Sequence, residues 1–186
     1  MMKGIDVAKW NGVIDWAKVK KAGVEFAVLK VIDKSNKTES SFVRNYAGAS
    51  AQGLPLDVYN YLYTTTEAAA REAAKAVVNA LAGRKIGKVW ADAEDACLKN
   101  KGIQLIRILN TYKAVIEAAG YEFGVYTGLS FYNSYIKPYK AYIDCDFWIA
   151  RYPSTKDMTI AMDPPASKKP VICHNLWGWQ HSSRGR

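Results

Sequence analysis

Short runs rich in β-branched and aromatic residues alternate along this chain with helix-patterned stretches, and that alternation constrains the fold more than any other feature. Strand candidates fall at 3–6, 26–31, 56–61, 88–92, 123–126, 147–150 and 176–179, with helices expected over 16–22, 39–51, 66–81 and 103–119. Gly23, Gly53, Gly83 and Gly120 each lie just past a helical pattern, where a residue in the left-handed region closes a helix well. Thr66 is a good N-cap for the third helix. Strand–helix repetition at this spacing predicts an α/β fold around a mostly parallel sheet. After Gly120 the long helical patterns stop and the chain reads as strands and aromatic loops, so an irregular barrel is expected. No linker, low-complexity stretch or internal repeat divides the 186 residues. The chain reads as one domain, residues 1–186.

In α/β barrels the functional side chains gather at the carboxyl ends of the strands. Those ends hold Asp6, Asp33, Tyr59, Tyr61, Asp92, Glu94, Tyr126, Trp148 and Gln180, a set of acids and rings suited to a polar, ring-shaped polymer. Asp92-Ala93-Glu94 closes the run Lys88-Val89-Trp90-Ala91. Residues two apart on a strand face the same way, with Cα atoms roughly 6.5 Å apart. Two carboxylates aimed into one cleft repel, which favours a proton on one of them. Such a pair can protonate a leaving oxygen and stabilise positive charge at carbon, the needs of glycosidic cleavage. A solvated strand end is the plainer reading of the same three residues.

Composition narrows the partners. The six Trp and twelve Tyr exceed the usual demands of a core this size, and sugar clefts use such rings as platforms. The net charge of +9 favours polyanions. No block of like charge or nucleic-acid signature accompanies it, so nucleic acid is not expected, and an acidic cell-wall matrix would be drawn to the charge equally well. Cys97, Cys145 and Cys173, with His174 and His181, form no metal-ligand spacing. They are expected as reduced, mostly buried thiols, with neither metal nor organic cofactor. There is no apolar run long enough for a membrane span or for a signal peptide at the start. A monomer made in the cytoplasm, reaching the wall by export or lysis, is expected.

The opening Gly4-Ile5-Asp6-Val7-Ala8-Lys9-Trp10-Asn11-Gly12, followed by Ile14-Asp15-Trp16, resembles that of the glycoside hydrolase family 25 lysozymes, the Chalaropsis-type N-acetylmuramidases. The likeness continues in order through Val58–Tyr61, Val89–Asp95, Gly124–Gly128, Phe147–Tyr152 and Leu176–Gln180. It implies an irregular, TIM-like β/α barrel of the kind found in phage endolysins and bacterial autolysins. The activity implied is cleavage of the β-1,4 bond between N-acetylmuramic acid and N-acetylglucosamine in bacterial peptidoglycan. By the resemblance, Glu94 corresponds to the general acid and Asp92 to the carboxylate that assists the substrate's 2-acetamido group. Asp6 falls on the first-strand acid at the cleft floor. Tyr59, Tyr61, Tyr126 and Trp148 match rings lining the sugar subsites, and Asp33 and Gln180 join the substrate-binding set. Retention and inversion both stay open. A non-catalytic wall-binding module, or a glycosidase of another N-acetylated polymer such as chitin, are the alternatives.

The chain departs from the family pattern in three places. Val31-Ile32-Asp33-Lys34 stands where relatives carry an acidic triplet, so Asp33 replaces that acid or the subsite differs. Asn60 replaces a common His, exchanging an imidazole donor for an amide. A last strand bearing another Asp is expected to be absent after Gln180, leaving an open barrel edge. Trp10, Trp90, Trp177 and Trp179 read as packing residues, His174 and His181 as ordinary loop residues, and Lys168-Lys169 and the 184–186 end as solvated charge.

Overall fold

The computed structural model describes residues 2–154 and 157–183; the basic end at 184–186 lies outside them. Seven strands follow one another in a single parallel sheet, in the order β1 to β7. They are β1 (Gly4–Val7), β2 (Phe26–Lys30), β3 (Leu56–Tyr61), β4 (Lys88–Asp92), β5 (Glu122–Gly128), β6 (Asp146–Ala150) and β7 (Asn175–Gln180). Four helices cross over between the first five strands: α1 (Trp16–Lys21), α2 (Phe42–Ala51), α3 (Glu67–Leu81) and α4 (Ile103–Ala118). Asp15 caps α1 through Lys18 N–H at 3.0 Å, and Thr66 Oγ1 caps α3 through Ala69 N–H at 3.2 Å, satisfying amides that helix starts leave open. The four closing glycines all have positive φ, from 65° at Gly53 to 96° at Gly23.

The run from 129 to 142 departs from expectation. It folds as short helical turns at Leu129–Phe131, Tyr132–Ile136 and Lys137–Tyr142, where aromatic loops were expected. Its Tyr and Phe residues have weak intrinsic helix preference. Burial of Phe131, Tyr132 and Ile136 against the sheet overrides that preference.

Two apolar layers result. Between helices and sheet lies the main core, containing Leu29, Val58, Val89, Val125 and Ile149 from the outward strand faces and Ala74, Val77, Leu105 and Leu109 from α3 and α4. Inside the curl lies a smaller cluster of Val28, Trp90, Tyr126, Trp148 and Ala150. Trp90 packs edge-on to Trp148 at 5.9 Å and against Trp177 at 4.7 Å. Gly124 makes room for it, since a Cβ there would come within 2.3 Å of the Trp90 ring. Beneath these rings Lys88 Nζ pairs with Glu122 at 2.7 Å and Asp146 at 2.9 Å. Asp57 accepts from Lys88 N–H and Trp90 Nε1–H. The interior is therefore plugged below by paired charges and rings, and its acids stand above, at the carboxyl ends of the strands.

Among the described residues no strand pairs β1 with β7, so the sheet is a curled, open barrel, as expected. Side chains span the gap instead. Gln180 Nε2–H reaches Asp6 Oδ2 at 2.7 Å, Phe26 meets Trp177 edge-on at 5.7 Å, and Lys3 pairs with Asp163 at 3.0 Å. Cys97 and Cys145 are half-buried and Cys173 is exposed, all three as free thiols, which corrects the expectation of mostly buried ones. Cys173 Sγ lies 3.0 Å from the Tyr132 hydroxyl, which also meets His174 Nδ1 at 2.7 Å. His174 thus anchors the start of β7 to the helical turns, a structural part rather than that of an ordinary loop residue.

Candidate active site

Asp92 ends β4 and stands in register with Tyr61 on β3 and Tyr126 on β5. The next residues are held by the flanking strands. Ala93 N–H donates to Tyr126 O at 2.9 Å, Ala93 O accepts from Thr127 Oγ1 at 2.6 Å, and Asp92 O accepts from Leu62 N–H at 2.9 Å. The strand geometry thus persists one step beyond β4 and presents Glu94 at its mouth.

The two carboxyls have different surroundings. Asp92 is only 5% exposed, and its Oδ1 is buried with no hydrogen-bond partner among the described residues. Burial, and then the charge of Glu94, push its pKa well above the usual carboxylate value, with Lys30 pulling the other way. Glu94 is half-buried, and burial followed by the charge of Asp6 raises its pKa too. Asp6 keeps surface open to the cleft, yet the protein packed around it raises its pKa, against the hydrogen bond from Gln180. Three acids with raised pKa values at one barrel mouth are the pattern of a site built to hold and move a proton.

Gln180 is the keystone of the opposite wall. Its Oε1 accepts from the hydroxyls of Tyr126 and Tyr152, both at 2.6 Å, while its amide donates to Asp6. Tyr59 lies above the interior cluster with Lys30 Nζ 5.9 Å from its ring. Tyr61 donates to Asp95 Oδ2 at 3.3 Å and packs against Tyr63 at 4.8 Å. A hollow of about 600 Å³ adjoins Glu94, lined also by Ser130, Asn133, Ser134, Arg151 and Tyr152. That volume suits a sugar unit with its substituents.

Four expectations need correction. Trp148 is 8% exposed, packed 4.6 Å from Tyr126 in the barrel interior; it supports the cleft floor from below rather than forming an open wall. Trp10, read as packing, is 83% exposed, and Trp177, though packed on Trp90, is also partly exposed. Asp33 does not join the three acids. Its Oδ1 accepts from Ser35 and Lys37 N–H at 2.8 and 3.0 Å, shaping the loop after β2, and it borders a separate small hollow. Asn60 points away from the cleft and donates from Nδ2 to the Tyr112 hydroxyl oxygen of α4 at 3.2 Å, so an imidazole there would face the core. Sequence reading missed Lys30, Thr127, Tyr152 and Glu39. Tyr152 was findable, since it lies two residues beyond the end of β6. Glu39 was read as the first residue of the second helix, which starts only at Phe42, so its place in the preceding loop was hidden. Among the described residues no three His, Cys, Asp or Glu side chains converge as metal ligands.

Known proteins share this architecture. The autolytic lysozyme of Clostridium acetobutylicum is 28% identical over 188 residues, covering 99% of this chain and 51% of that protein. This chain therefore spans about half of that relative's length. The solved CTP1L endolysin superposes with a TM-score of 0.75 at 22% identity, covering 100% of this chain and 62% of that one. The bacterial lysozyme from Streptomyces coelicolor does so with a TM-score of 0.71 at 23% identity, covering 100% and 85%. At such identities the two structures speak for the fold alone. The model of the glycosyl hydrolases family 25 matches residues 5–186, nearly the whole chain, and the chain belongs to that family.

Proposed function

We propose that this chain is a peptidoglycan hydrolase that cleaves the β-1,4 bond from N-acetylmuramic acid to N-acetylglucosamine. The observation that carries the reading is the Asp92–Glu94 pair, both with raised pKa values, set at the carboxyl end of the barrel strands beside a sugar-sized hollow. Glu94 is the more accessible acid and faces that hollow, so it donates the proton to the glycosidic oxygen as the C–O bond breaks. The acetamido oxygen of the same sugar closes on the anomeric carbon, and its N–H is accepted by Asp92. That hydrogen bond and Lys30 both favour ionised Asp92, whose charge then holds the proton on Glu94. Water, deprotonated by Glu94, opens the cyclic intermediate and restores the acid. Asp6, fixed by Gln180, raises the affinity of Glu94 for its proton. Tyr59, Tyr61 and Tyr126 bound the subsites, and the cell wall is the place of action.

Mass spectrometry of bacterial wall digests tests the reading. Products ending in reducing N-acetylmuramic acid are expected, formed with retained configuration by NMR. Glu94→Gln should lower the rate by roughly 10²–10⁴-fold with the fold intact by circular dichroism. Reducing N-acetylglucosamine ends, or binding to walls without any cleavage, would overturn it.

A further inference from the structure

A second hollow, of about 180 Å³, opens on the β1–β3 side of Asp92, opposite in strand order to the hollow beside Glu94. It lies between two rings, Trp10 and Tyr63, both exposed, and Lys9, Lys30 and Lys34 border it. Lys9 Nζ stands 4.8 Å from the Trp10 ring, and Lys34 Nζ 4.8 Å from the Tyr63 ring. Among the described residues none of these three ammonium groups has a carboxylate oxygen within ion-pair distance. The two acids at the hollow are already engaged: Asp33 by the amides of its own loop, and the buried Glu39 by Lys9 N–H and Ser41. Net positive charge therefore faces outward.

The turn that carries Trp10 is firmly held. Glu39 Oε1 accepts Lys9 N–H at 2.8 Å, Asn11 Oδ1 accepts Ala8 N–H at 2.8 Å, and Arg44 donates to Gly12 O at 2.7 Å. A large ring kept exposed on a braced turn beside unpaired cations is a prepared surface, since ordering it on binding costs little more entropy. The hollow also joins the cleft, through Lys30 and through the Tyr61–Tyr63 contact.

Resting on the reading above, we propose that this hollow binds the anionic peptide substituent of the wall glycan, with Lys9 and Lys34 on its carboxylates and Trp10 and Tyr63 against its aliphatic parts. A glycan lying across Asp92 carries such a peptide on the lactyl group of each muramic acid. The site recognises carboxylates that the sugar cleft itself does not read.

The test compares glycan strands bearing their peptides with the same strands stripped by an amidase. Several exposed ion pairs together should favour the peptide-bearing strands by about tenfold in kcat/KM, mostly through KM. That ratio should fall severalfold in Lys34→Gln and in Trp10→Ala, and shrink in the wild type as salt is raised. Strands whose peptide carboxylates are converted to amides should behave as stripped ones. No preference in the wild type, or equal losses on both substrates in the variants, would overturn the proposal. So would a preference for stripped strands that retain phosphate-rich wall polymer, which would make phosphate the ligand. If neither substrate is cleaved, the hydrolase reading fails separately. Calorimetry with a soluble carboxylate-bearing disaccharide peptide then decides: saturable binding weakened by Lys34→Gln supports the site, and no binding overturns it.

Discussion

Asp92 sits where a carboxylate is least welcome, covered by protein and with one oxygen lacking a hydrogen-bond partner among the described residues. Its proton is held more tightly in the folded than in the unfolded chain. Between the usual value of 3.8 and the raised folded value, the native state binds the extra proton, so stability falls as pH climbs through that window. Each unit of upward shift costs about 1.4 kcal/mol above it. Asp92→Asn is therefore expected to abolish most activity yet melt about 3 °C or more higher than wild type at neutral pH. The gap should close as pH is lowered toward 4, which melting curves across pH would show. A variant no more stable than wild type at pH 7 would mean that Asp92 is at ease where it lies.

At the scale of elements, the parallel strands matter because β1, β4 and β7 carry Asp6, Asp92 and Gln180 at or next to their carboxyl ends, with apolar residues filling the interior behind them. β4 contributes Lys88, Trp90 and Asp92 to the interior at base, middle and mouth, and β5 accommodates Trp90 by having Gly124 opposite it. Gly124→Ala should drive a methyl into that ring and destabilise the protein by ~1–3 kcal/mol in urea unfolding. Because Trp90 carries Trp148 and Trp148 carries Tyr126, activity should fall by more than the unfolded fraction explains. Unchanged stability would show that the Trp90 ring has room to move.

For the whole molecule, the decisive contact is the one that spans the unpaired edges. Gln180 on β7 holds Asp6 on β1, and with it Tyr126 and Tyr152. Gln180→Leu removes the hydrogen bond that lowers the pKa of Asp6. Asp6 then keeps its proton to higher pH and exerts less negative charge on Glu94, whose pKa falls. The alkaline limb of the pH–rate profile should move to lower pH, with kcat reduced by about tenfold. An unshifted limb would separate Asp6 from the proton chemistry of Glu94.

The positions of the strands and the Asp92–Glu94 pair were legible from local pattern alone, because a two-residue period fixes which side chains share a face; the order of the strands in the sheet was not. Asp6, Tyr126 and Gln180 were legible as strand ends. Other properties required three dimensions. Trp148 and Trp10 exchanged places, the first covered and the second exposed, because a ring's burial depends on what the sheet's curl brings over it. Asn60 faces the core and Asp33 its own loop for the same reason. The helical turns at 129–142 were hidden because burial against the sheet outweighs the weak propensity of aromatic residues. The sequence by itself determined the repeating strand–helix units and the acids at their ends, through periodicity and turn chemistry. Only the tertiary structure decided which acids lose their water, which rings stay open and how Gln180 reaches Asp6. Desolvation and contact across 174 residues of chain depend on the curl of the whole sheet and on no local run of residues.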